Sequence, residues 1–165
     1  MNLSLVKNIN ELLKYANLDY RIYSDLDGVL VDFDKEFKKL GHGDPDSFTK
    51  KHGISAMWDI IIRETDHFWL NMDWTPDGKK LWDYIKKYNP ILLTTPAYSV
   101  PHCVEDKQAW VKREIGDAEV IISTKKETYA DEYSILIDDM KKNTMPWEEA
   151  GGIAILHKSA DDTIT

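Results

Sequence analysis

The chain has 165 residues, a formal net charge of −8, and side chains that are 42% hydrophobic and 30% charged. That is enough for one compact core, or a core with a small inserted lobe, and too apolar for a disordered segment. The acidic balance argues against stable binding to nucleic acid or to an anionic membrane surface.

A single cysteine, Cys103, excludes an internal disulfide and points to a reducing, cytoplasmic setting. Lys7, Glu11 and Lys14 stand where a signal peptide needs apolar residues, and the longest uncharged run, residues 88–104, holds three prolines. Neither export nor membrane spanning is expected.

In chain order, Leu5, Ile9, Leu12, Leu13 and Ala16 recur at helical spacing and predict an opening helix with one apolar stripe. Residues 20–24 are rich in β-formers and run directly into Asp25-Leu26-Asp27-Gly28, so this acidic group is expected just past a strand's carboxyl end. Phe33, Phe37 and Leu40 align on a helix that breaks at Gly41-His42-Gly43-Asp44-Pro45, and the apolar residues of 47–74 suggest short helices. Thr75-Pro76 marks the next helix start, with Leu81, Trp82 and Ile85 on its buried face.

From there strands and helices alternate: a strand at 91–94, a helix at 104–115 stopped by Gly116, a strand at 119–123, a strand at 134–137 ending in Asp138-Asp139, a short helix at 146–150 and a strand at 153–156. This alternation predicts an α/β fold, a parallel sheet with helices on both faces. Residues 1–33 and 75–165 form its core, and 34–74 form a small helical cap. No internal repeat or low-complexity segment is present.

Three strand ends deliver polar groups: Asp25 and Asp27 after the first, Thr94 and Thr95 after the second, Asp138 and Asp139 after the fourth. In a parallel sheet these ends share one edge, the edge where open α/β sheets place ligands. Carboxylates converging there repel one another and resist desolvation unless a divalent cation lies among them. Oxygen ligands favour magnesium over zinc, and magnesium commonly completes its shell with water and phosphate oxygens.

Asp-Leu-Asp-Gly-Val-Leu-Val-Asp-Phe at 25–33, preceded by a strand, resembles the first motif of the haloacid dehalogenase (HAD) superfamily, most of whose members are phosphatases. Ile91-Leu92-Leu93-Thr94 is similar to its second motif and Ile135-Leu136-Ile137-Asp138-Asp139 to its fourth; the third is a lysine, for which Lys126 is the candidate and Lys125 the rival. Thr94-Thr95-Pro96, Cys103, Lys107, Ala109-Trp110-Val111 and Asp32-Phe33 resemble the 5′-deoxyribonucleotidase branch, whose members carry a small helical cap.

The resemblance implies a three-layer Rossmann-like core and a Mg²⁺-dependent phosphomonoesterase. Its substrate would be a small phosphorylated metabolite, with nucleoside monophosphates, especially deoxy forms, favoured. Asp25 would attack phosphorus to form an aspartyl-phosphate, and Asp27 would serve as general acid and then base. Thr94, Thr95, Lys126, Lys107 and backbone N–H groups near Gly28 would hold the phosphate. Asp25, Asp138 and the carbonyl of Asp27 would bind Mg²⁺, with Asp139 binding a metal-bound water or orienting Lys126. Phe33 and, in or near the cap, Trp69 and Trp74 are the candidates for contact with the leaving group.

Other readings are weaker. A calcium loop needs glycine at its sixth position, whereas Gly28 stands fourth after a strand. A phospho-acceptor receiver module presents its acidic pair first, not last, and has no helical insertion. A phosphatase acting on nucleic-acid ends is disfavoured by the net charge, and a silent nucleotide-binding relative by the filled acidic positions. The five histidines share no ligand-like spacing, Cys103 reads as a packed residue, and a homodimer is left open.

Overall fold

The computed structural model describes residues 8–14 and 20–165. Its elements are α1 (Ile9–Lys14), β1 (Arg21–Ser24), α2 (Phe33–Lys39), α3 (Pro45–His52), α4 (Ile54–Glu64), α5 (Gly78–Ile85), β2 (Ile91–Thr94), α6 (Cys103–Glu114), β3 (Val120–Ile122), β4 (Ser134–Asp138), α7 (Lys141–Glu149), β5 (Ile153–Leu156) and α8 (Ala160–Ile164). Single 3₁₀ turns lie at Lys86–Tyr88 and Lys126–Tyr129. Of the stripe read on the opening helix, Ile9 is buried, while Leu5 and Ala16 lie outside the described residues.

The five strands form one parallel sheet in the order β3-β2-β1-β4-β5. Every residue of β4 is buried, as expected of a parallel strand covered on both faces. Alternation along the strands splits the core in two. Ile22, Leu92, Ile135, Ile137 and Ile155 join Ile9, Leu81, Ile85, Trp110 and Ala160 from the helices, whereas Tyr23, Leu93 and Leu136 pack on Trp147 of α7. Among the described residues, no helix is long and apolar enough to cross a membrane.

From β1 the chain moves outward to β2 and β3, then crosses back to β4 and β5 on the other side. The order therefore reverses between β1 and β4, the switch point at which ligands enter such sheets. The helices α2, α3 and α4 are inserted between β1 and β2. The insertion leaves and returns side by side: Asp32 N–H donates to Asp73 O and Thr75 N–H to Leu30 O, at 2.9 and 2.8 Å.

The structure differs from the sequence reading at α5, α7 and α8. Thr75 does not open α5, because its hydroxyl donates to Val29 O and its N–H to Leu30 O, which ties it to the loop after β1; the helix starts at Gly78. α7 begins at Lys141 rather than 146 and takes Pro146 inside it, since Asp138 already gathers its start by accepting from Met140 N–H and Asn143. The closing helix α8 was not read at all. Ser159 caps it by accepting from Asp162 N–H, and Ala160 N–H donates to Asp77.

Candidate active site

The pairing of β1 with β4 sets the centre of the site. Ser24 lies opposite Ile137 and Asp25 N–H donates to Ile137 O at 2.9 Å, so the next residue of each strand, Asp25 and Asp138, emerge together. Carboxylate oxygens of Asp25, Asp138 and Asp139 all lie within 4.8 Å of one another. Asp25 and Asp138 are buried, and Asp139 stands at the exposed rim.

Lys126, on the 3₁₀ turn after β3, closes this group from below. Its Nζ lies 2.7 Å from Asp138 Oδ2 and 3.0 Å from Asp25 Oδ1, and the side chain is buried. Lys125 is exposed. A lysine ammonium has three protons, and among the described residues these two acceptors leave one unspent. Asn143 donates to both oxygens of Asp138 at 3.0 Å. Sequence reasoning missed this residue; the available signal was an amide one helical turn beyond an acidic pair.

One ammonium does not balance three carboxylates. Burial, the nearby Asp138 charge and the opposing pull of Lys126 leave the Asp25 carboxyl above its ordinary range. Asp139 is pushed up to about 7, by burial of its inner side and by repulsion from Asp25 and Asp138. Burial alone would pull Lys126 down, yet Asp25 and Asp138 hold its ammonium above the usual value. The cluster thus holds a proton more readily than free carboxylates do, and a divalent cation bound by hard oxygens would take over that proton's role. The donor set fits Mg²⁺.

Gly28 admits Asp139 to this group. A Cβ at position 28 would stand 2.2 Å from Asp139 Oδ2, and the backbone there has φ +78°, a conformation glycine adopts without penalty. The Gly28 N–H itself donates to Val31 O at 2.9 Å.

The Asp27 carboxylate turns away from the three others. Its Oδ2 accepts from Lys107 Nζ at 2.8 Å, and Trp69 Nε1 lies 3.2 Å from both of its oxygens. Lys107, buried on α6, also donates to Thr94 Oγ1 at 2.8 Å and Thr95 O at 2.9 Å, so its three protons are all engaged. Thr94 is buried and the Thr95 side chain is exposed. Phe33 is half-buried in an aromatic group with Trp58, Phe68 and Trp69, at ring separations of 6.1, 5.3 and 6.3 Å. The structure therefore brings Asp25, Asp138, Asp139 and Lys126 into one group and Asp27, Lys107, Thr94, Trp69 and Phe33 into an adjoining one. Cys103 is buried, accepts from Ala97 N–H, and has its thiol pKa raised by burial, as a packed residue should.

No family model matches the sequence, and no curated protein matches it. Solved structures do. A HAD-superfamily hydrolase from Ehrlichia chaffeensis is 14% identical with a TM-score of 0.50, over 87% of this chain and 89% of that one. A haloacid dehalogenase-like hydrolase from Streptococcus pneumoniae is 16% identical with a TM-score of 0.51, over 82% of each chain. The chain has a HAD-like fold. At these identities the likeness concerns architecture, and what the site can do follows from its own residues.

Proposed function

We propose that the chain is a magnesium-dependent phosphomonoesterase of the HAD superfamily, with Asp25 as nucleophile and nucleoside 5′-monophosphates, deoxy forms included, as substrates. The observation that carries this reading is the meeting of Asp25, Asp138 and Asp139 at the β1–β4 switch point, with Lys126 beneath them.

Asp25 Oδ1 is held by Leu26 N–H at 2.8 Å and by Lys126, and among the described residues no hydrogen-bond donor reaches Oδ2. That oxygen is free to attack phosphorus, forming a phosphoryl–carboxylate bond as the ester oxygen departs with its electron pair. Asp27 delivers a proton to the departing oxygen and afterwards receives one from the water that hydrolyses the acyl phosphate. The unspent Lys126 proton binds a phosphoryl oxygen. Mg²⁺, when held by Asp25, Asp138, Asp139 and the Asp27 carbonyl, offsets their charge and that of the phosphate.

The insertion, residues 34–74, serves as the cap over the leaving group, and Phe33 offers an aromatic edge to a nucleobase. The same fold and charge suit a small cytoplasmic substrate better than a nucleic-acid end. A phosphate-release screen with Mg²⁺ over ribo- and deoxyribonucleoside monophosphates, sugar phosphates and phosphorylated oligonucleotides tests the reading. Turnover of mononucleotides above the other classes is expected. Preference for sugar phosphates or oligonucleotide ends would overturn the substrate assignment, and release from none would overturn the activity.

A further inference from the structure

The segment that returns from the insertion, residues 67–74, is laid along α6 like a strap. His67 Nδ1 pairs with Asp106 Oδ1 at 2.8 Å, Arg113 donates to Leu70 O at 2.7 Å, Trp110 Nε1 donates to Met72 O at 2.8 Å, and Trp74 Nε1 donates to Glu114 Oε2 at 2.9 Å. Positions 106, 110, 113 and 114 lie on one helix face, and Lys107 on the same turn places its ammonium 5.4 Å from the centre of the Trp69 ring. Two of these bonds end on backbone carbonyls of the strap, so part of its path is held through the main chain.

What the strap carries is Trp69. Its side chain is 2% exposed, with the rings of Phe68, Trp58 and Phe33 at 5.0, 6.3 and 6.3 Å. A ring so enclosed has no open face on which a nucleobase could stack. Its one polar atom is directed at Asp27, equidistant from the two carboxylate oxygens. Asp27 thus has two orienting partners, Lys107 from the core and Trp69 from the strap.

We propose that Trp69 is a positioning residue: through its indole N–H it fixes the orientation of the Asp27 carboxylate, and so the direction in which Asp27 hands a proton to the departing oxygen. The assignment rests on the phosphomonoesterase reading above, in which Asp27 is the general acid and base. It gives the insertion a part in the chemistry beyond covering the leaving group, since the strap sets the geometry of proton transfer.

The test compares two esters with Trp69→Phe, which keeps an aromatic ring and removes the donor. An alkyl phosphate such as a nucleoside 5′-monophosphate needs a proton on its leaving oxygen; p-nitrophenyl phosphate releases a phenolate that does not. Losing one hydrogen bond to a charged group should lower kcat/KM for the alkyl ester about tenfold through kcat. kcat/KM for the aryl ester should stay within about twofold, since it reports the steps up to departure of the phenolate and not the later hydrolysis that also uses Asp27, and KM for neither ester should rise. Asp27→Asn should lose kcat/KM on the alkyl ester by a larger factor and should also slow kcat on the aryl ester, because hydrolysis of the acyl phosphate uses Asp27 as base.

An equal fall in kcat/KM on both esters overturns the proposal in favour of a packing role, and a raised KM with unchanged kcat overturns it in favour of a substrate platform. If Trp69→Phe does not fold, a benzothienyl analogue at position 69, with sulfur replacing N–H at equal shape, decides: the selective loss supports the role and full alkyl-ester activity overturns it. Wild-type protein inactive on both esters would overturn the phosphatase reading and the positioning role with it. Normal alkyl-ester turnover by the variant overturns the positioning role alone.

Discussion

Lys126 Nζ lies 2.7 Å from Asp138 Oδ2, although the two residues stand 12 apart in sequence, at the start of a turn and the end of β4, and both side chains are buried. Removing one partner of such a pair leaves an uncompensated charge in a dry site, which costs about 3 kcal/mol or more. Lys126→Met should destabilise the metal-free protein by that order and lower phosphatase turnover at least about 100-fold. Urea unfolding and steady-state assays measure both. Unchanged stability would mean that Asp25 and Asp138 do not depend on this ammonium.

Gly28→Ala should weaken Mg²⁺ binding about tenfold or more, because the new Cβ takes the place of Asp139 Oδ2 and shifts that carboxylate. The left-handed backbone adds a penalty of about 1 kcal/mol to folding. Calorimetric titration with Mg²⁺ reads the first effect and thermal melting the second. Wild-type affinity in the variant would remove Asp139 from the metal site.

How much of this was legible in the sequence follows from what each signal encodes. Asp25-x-Asp27-Gly28 and Asp138-Asp139 were readable because each follows a short β-rich run, and a parallel sheet brings such ends to one edge. The five strands were likewise readable. The two separate carboxylate environments were not, since Asp25 and Asp27 are split by contacts from Lys126 on one side and from Lys107 and Trp69 on the other, which no local pattern specifies. Asn143 and the His67–Asp106 pair escaped for the same reason. Trp69 was singled out as an aromatic, but only the strap's docking on α6 shows that its N–H, rather than its face, is on offer.

Mg²⁺ affinity should depend on pH. With its pKa pushed up to about 7, Asp139 holds a proton at lower pH and must lose it to take a cation, so affinity falls as pH drops below that value and binding releases protons. In Asp139→Asn the slope between about pH 6 and about pH 8 should shrink. Titrations in two buffers of different ionisation enthalpy count the protons released; an unaltered slope in the variant would contradict the assignment.

Away from the site, buried His157 at the end of β5 pairs with Thr163 at 2.7 Å, and burial pulls its pKa down, opposed by Asp77 and Asp162. Below the unfolded value of about 6.5 the unfolded chain binds more protons than the folded one. Stability from this group is therefore full above that pH and is lost as pH falls toward the folded pKa. Denaturant unfolding from about pH 7.5 down to about pH 5 should show less acid sensitivity in His157→Gln than in the wild type; equal sensitivity would place the effect elsewhere.

Covalent trapping tests whether Asp25 takes up the phosphoryl group. Protein turning over a substrate with Mg²⁺ is quenched, the acyl phosphate is reduced with borohydride, and the altered residue is located by peptide mass spectrometry. Conversion of Asp25 to homoserine, absent in Asp25→Asn, is the result expected. Steady turnover with no conversion at position 25, or conversion at another carboxylate that persists in Asp25→Asn, would mean that Asp25 is not the nucleophile.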